Sequence, residues 1–74
     1  MIKKANHLVP GDVVLWNGEP EIVESVSPQY LGVNVKFHSH LVDKYFDNDA
    51  TFLVSETYRV VLIDNKVEWV VMND

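Results

Sequence analysis

The sequence predicts an all-β domain, and three observations carry that prediction. Val, Ile and aromatic residues recur throughout the 74-residue chain. Gly, Asn, Asp and Pro punctuate it at short, regular intervals, which is the pattern of short strands joined by tight turns. Residues 32–38, G-V-N-V-K-F-H, alternate apolar and polar without a break. That alternation puts Val33, Val35 and Phe37 on one face and Asn34, Lys36 and His38 on the other.

The elements follow in order. Pro10-Gly11-Asp12 is turn chemistry, because Pro presets φ and Gly reaches backbone conformations that other residues resist. Val13–Trp16 is a first strand. Asn17-Gly18 is the two-residue signal of a type I′ hairpin, which needs positive φ at both central positions. Glu19–Ser27 returns as the second strand. Val23 and Val26 stand three apart within it, so a bulge or bend is needed to turn both valines inward. Ser27-Pro28 is expected to end that pairing. After the strand at 32–38, residues 40–47 suit a strand or a helix, with Leu41 and Tyr45 four apart. Residues 41–54 read as one strand, or as a pair about Asp47-Asn48-Asp49. Ser55-Glu56-Thr57 is a turn into Tyr58–Ile63, and Asp64-Asn65-Lys66 reverses the chain into Val67–Met72. Both faces of this last hairpin are apolar, a pattern typical of strands covered on both sides.

Length bounds the answer to one domain over residues 1–74. A chain this short buries only about 60% of its unfolded surface, so its margin of stability is thin. There is no cysteine, hence neither disulfide nor thiolate chemistry. No stretch approaches the roughly 18 apolar residues of a membrane helix, and the start has no apolar run of signal-peptide length. The expected location is the cytoplasm, or the host cytoplasm if the chain is phage-encoded. The formal net charge is −5, the wrong sign for general affinity to a polyanion.

The stretch L-V-P-G-D-V-V-L-W-N-G-E-P-E-I-V-E-S-V resembles the opening hairpin of small SH3-like barrels. The KOW domains, the N-terminal domain of elongation factor P and small phage and prophage barrel proteins share this rhythm. V-N-V-K-F and F-L-V-S-E-T-Y-R-V-V are similar to the third strand of such barrels and to their turn into the last strand. The resemblance covers residues 8–62. It implies an SH3-like antiparallel barrel of five to six strands, with the C-terminal hairpin adding a strand. The modified-lysine loop of elongation factor P has no counterpart, since Ser27–Leu31 holds no Lys. Intein-like domains open in this way too, but their nucleophile is missing here. Fold alone does not carry function.

The residues suggest three readings. The first is a non-enzymatic protein-interaction module that needs no cofactor. By resemblance it would be a phage or prophage accessory protein acting on a larger host complex, such as the transcription or translation machinery. Its expected interface is Trp16, Val61, Ile63, Trp69, Val70 and Met72, and a symmetric homodimer would also cover an apolar face. The opposite face of the hairpin, Val60, Leu62, Val67, Trp69 and Val71, is the alternative interface. The second reading is a KOW-like nucleic-acid face of Lys36, His38, Lys44 and Arg59. The third is a metal-dependent hydrolase using His38, His40 and Asp43, because two His two apart on a strand share a side and a carboxylate could complete the set. Asp47-Asn48-Asp49 lacks the Gly and closing Glu of a calcium loop. Glu19, Glu21 and Glu24 read as an acidic edge that deters strand pairing. No Gly-x-Ser-x-Gly elbow is present.

Overall fold

The computed structural model describes residues 1–64 and 66–72. Asn65, at the expected last turn, and the terminal pair 73–74 lie outside the described residues. The chain is all-β, with a six-stranded antiparallel sheet and a separate two-stranded hairpin. The strands are β1 (Ile2–Lys4), β2 (Val13–Trp16), β3 (Glu19–Gln29), β4 (Gly32–Phe37), β5 (Lys44–Asp47), β6 (Thr51–Val54), β7 (Tyr58–Ile63) and β8 (Lys66–Val71). The large sheet runs β1-β6-β2-β3-β4-β5, and β7 and β8 pair with each other. The sheet curls strongly, so that a 3₁₀ turn at Ala5–His7, following β1, packs against β4 and β5 at the far side.

The opening hairpin forms as its turn residues require. Asn17 has φ 51° and Gly18 φ 78°. Val13 to Trp16 then face Ile22 to Glu19 in register. Nothing crowds the space beside Gly18, so only backbone conformation opposes a side chain there. Gly18→Val is expected to cost about 1 kcal/mol. A thermal melt that does not move on this substitution would contradict the turn assignment.

The predicted bulge lies between Val23 and Ser25. Glu24 is the extra residue, Val23 is fully buried, and Val26 packs against the core. Pairing does not end at Ser27-Pro28: β3 continues to Gln29, with Pro28 opposite Val33. Only β4 pairs with β3 along that stretch, and a proline is tolerated where one side of a strand is unpaired. Val33, Val35 and Phe37 are buried as the alternation predicts. Residues 40–47 are not helical. Two strands, β5 and β6, occupy 41–54, and they do not pair with each other. β5 joins β4, and β6 joins β1 and β2. The Ala50 N–H donates to the Asp47 carbonyl (3.0 Å) and turns the chain between them.

The core is Ala5, Leu8, Val14, Val23, Val33, Val35, Phe37, Phe52 and Val54, closed at one end by Trp16 and Phe46. Phe37 stacks on Trp16 at 5.2 Å, and Phe46 meets Phe52 edge-on at 5.0 Å. Each such side chain contributes about 1.5–3 kcal/mol on burial. The Pro10-Gly11-Asp12 step does structural work. Gly11 sits at φ +95°. The Asp12 carboxylate accepts the Val9 N–H and the Lys3 ammonium, each at 3.0 Å, so this nearly buried acid is paired.

Candidate interaction surface

Local chemistry fixes how the hairpin β7–β8 leaves the sheet. Ser55 Oγ accepts the backbone N–H groups of Thr57 (3.2 Å) and Tyr58 (3.1 Å), a hydroxyl substitute for a backbone turn. The Val60 N–H then donates to the Gly11 carbonyl at 2.9 Å. Val60 is buried, which anchors the hairpin over β2. Opposite residues of an antiparallel pair share a face. Tyr58, Val60, Leu62, Val67, Trp69 and Val71 therefore form one face, and Arg59, Val61, Ile63, Lys66, Glu68 and Val70 form the other.

The first face turns toward the outer side of the large sheet. Val13 points outward from the core yet is buried, because the hairpin lies over it. A cleft of about 490 Å³ opens between Val13, Pro20, Ser55, Tyr58 and Trp69. Tyr58 and Trp69 meet edge-on at 6.2 Å along its wall. Pro20 continues the cleft into a stripe across four strands, since it faces Leu15, which faces Leu53, which faces Ile2. Ile2 and Trp69 are 70% and 57% exposed, so neither end of this surface is covered.

The second face is open as well. Val61, Ile63, Val70 and Met72 are all exposed, with Ile63 at 50%. The expected interface residues Val61, Ile63, Trp69, Val70 and Met72 thus lie on one exposed hairpin. Trp16 does not join them. It turns inward against Phe37, Phe46 and His40, and the Lys44 ammonium sits over its ring at 5.3 Å. Leu15, Leu53 and Ile2 escaped the sequence reading. β1 is too short to show periodicity, and the β1-β6-β2 neighbourhood joins residues far apart in the chain.

The basic residues do not make one stripe. Lys44 faces Val35 in register and so points to the inner side, while Lys36, its neighbour in β4, points outward. Lys36 Nζ donates to Glu24 Oε2 at 3.0 Å, and His38 Nδ1 lies 3.4 Å from Glu24 Oε1. Arg59 donates to the Pro10 carbonyl at 3.4 Å and lines a second cleft with Glu24.

His38 and His40 also part company. The His40 N–H donates to the Phe37 carbonyl (3.0 Å), so the chain turns and strand alternation stops. His40 Nε2 reaches Glu21 Oε2 at 3.1 Å, whereas His38 stays with Glu24. Among the described residues no three His, Asp or Glu side chains gather closely enough to hold a metal ion, and Asp43 is exposed and pairs with neither histidine.

The chain matches no family model, no curated protein and no solved structure.

Two carboxylates in this region are held below the ordinary glutamate value of 4.5. For Glu21 the main cause is the Ser39 hydroxyl donating at 2.7 Å, reinforced by His40 and opposed by partial burial. For Glu24 it is the Lys36 ammonium, with His38 adding to it, again against partial burial. A lowered folded-state pKa means the anion is stabilised by folding. That contribution is complete above about 4.5 and is lost as pH falls through the lowered folded values. Urea midpoints are expected to fall below pH 4.5, and Glu21→Gln is expected to flatten the fall. An identical slope in the variant would contradict this role for Glu21.

Proposed function

We propose that this protein is a non-enzymatic protein-interaction module on a small SH3-like barrel, which engages its partner through the apolar surface running from Ile2 to Trp69. One observation carries the reading: Ile2, Leu53, Leu15, Pro20, Tyr58 and Trp69 form a continuous, exposed apolar surface with a cleft in it. Monomers seldom expose contiguous apolar patches beyond a few hundred Å² unless something binds there. The aromatic pair at the cleft is the kind of anchor that dominates binding energy. A cytoplasmic setting and a large host assembly as target are part of the proposal, and they rest on the resemblance of the opening hairpin to phage and prophage barrels.

Affinity capture with the full chain from an extract of the source cell tests the reading. The unmodified chain is expected to retain a discrete set of proteins, and Leu53→Asp is expected to lose them with an unchanged melting curve. Equal capture by both, or none by either, would refute it. Leu53 is exposed, so the added charge disturbs the surface and not the core.

A further inference from the structure

The geometry points to self-association through the outer edge of β8, giving a symmetric dimer in which two hairpins join as one four-stranded sheet. The inference concerns the backbone edge of β8, and it meets the cleft described above only at Trp69, whose side chain lines that cleft while its N–H and C=O face the open edge.

The hydrogen-bond pattern identifies the groups involved. The Met72 N–H donates to Thr57 O at 2.8 Å, which extends the β7–β8 register by one residue pair. In an antiparallel ladder the backbone groups of successive residues alternate between the two sides. Met72, Val70, Glu68 and Lys66 therefore direct their N–H and C=O groups at β7. Val67, Trp69 and Val71 direct theirs away from it. The Val60 N–H fits this phase: opposite Trp69 in register, it points away from β8 and reaches Gly11. Among the described residues no backbone group pairs with the outer side of Val67, Trp69 or Val71.

An unpaired edge of this kind is a template for another strand, and proteins usually blunt it with a proline, a bulge or charge. β8 has no proline, and its register with β7 is unbroken. Its only charges are Lys66 and Glu68, and from Trp69 to Met72 it is wholly apolar.

Two features select a second copy as the occupant. The first is register. Antiparallel pairing centred on Trp69 places Trp69 opposite its counterpart and Val67 opposite Val71 of the other copy. That single arrangement uses every outward N–H and C=O of β8, and it is its own two-fold mate. The second is charge. Within residues 58–72, Arg59 and Lys66 offset Asp64 and Glu68, so the whole net charge of −5 lies elsewhere in the chain. Two like-charged molecules meet with least repulsion through this neutral hairpin. Joining the edges also covers Trp69 and Val71, which are 57% and 55% exposed.

Sedimentation equilibrium of the full chain, from low micromolar to millimolar concentration, tests the inference. A reversible species of twice the 8.5 kDa chain mass is expected. Val71→Pro removes an outward N–H and leaves the β7 ladder intact. It is expected to weaken the dimer roughly tenfold or more, as loss of strand bonds requires. Trp69→Lys, which sets like charges opposite each other at the two-fold, is expected to do the same and guards against misfolding of the proline variant. A chain monomeric at every concentration, or a dimer indifferent to both substitutions, would overturn the inference. In the first case, capture that is lost on Leu53→Asp would leave the interaction reading standing. A dimer without any capture by the unmodified chain, or with equal capture by Leu53→Asp, would remove that reading and keep this one.

Discussion

Phe37→Ala is expected to bring the protein to the edge of unfolding at room temperature. Phe37 is fully buried at the end of β4 and touches aromatic rings on three sides: Trp16 at 5.2 Å, His40 at 5.6 Å and Phe46 at 6.3 Å. Truncating a buried Phe costs about 3–5 kcal/mol, as lost transfer energy plus an unfilled cavity. Domains in general are stable by only about 5–15 kcal/mol, and one this small lies near the lower end. The substitution therefore removes most or all of the margin. Trp16 and His40 would also lose the ring that orders them, so Trp16 fluorescence should change with the backbone signal. Far-UV circular dichroism during urea titration measures the effect. A variant that melts cooperatively close to the parent midpoint would show that the core does not depend on this ring.

Gly11→Ala is expected to be the most damaging single substitution outside the core, at about 3 kcal/mol. Gly11 has φ +95°, beyond the left-handed well that other residues tolerate. A Cβ there would run into the Val60 carbonyl, which is backbone and has no rotamer to yield. The Gly11 N–H bonds Val23 O at 2.8 Å and its carbonyl accepts from Val60. One residue thus ties β3, in the large sheet, to the hairpin. The damage should be uneven. Amide exchange at Val60 is expected to rise far more than at Val35, which is buried in β4. Uniform loss of protection would mean that the hairpin and sheet unfold as one unit and that Gly11 is not a hinge between them.

The parts of the fold legible in the sequence are those with a local cause. Asn17-Gly18 specifies its turn because positive φ at both positions is a property of those two residues. Val33, Val35 and Phe37 declare their face because a strand alternates strictly. The bulge at Glu24 could be read from Val23 and Val26 standing three apart. The two-sided apolar hairpin was visible as well, together with the expectation that the face left over from the interior must meet something; Val61, Ile63, Val70 and Met72 stay exposed in the single chain.

What the tertiary structure alone decided was which distant residues became neighbours. β1 is three residues long, and its place beside β6 depends on a partner about fifty residues away. So does the stripe of Ile2, Leu53 and Leu15, which no local window contains. Trp16 preceded a turn and was consistent with either side of the sheet. Packing against Phe37 and Phe46 turned it inward and removed it from the surface it was expected to join. His38 and His40 share a side only while strand alternation continues, and the His40–Phe37 backbone bond ends it. Lys36 and Lys44 are parted by register, since pairing Val35 with Lys44 puts the two lysines on opposite faces. The physical reason is the same throughout. Turn conformation and side-chain alternation are set by a few adjacent residues, whereas pairing partners are set by burial and hydrogen bonding summed over the whole chain.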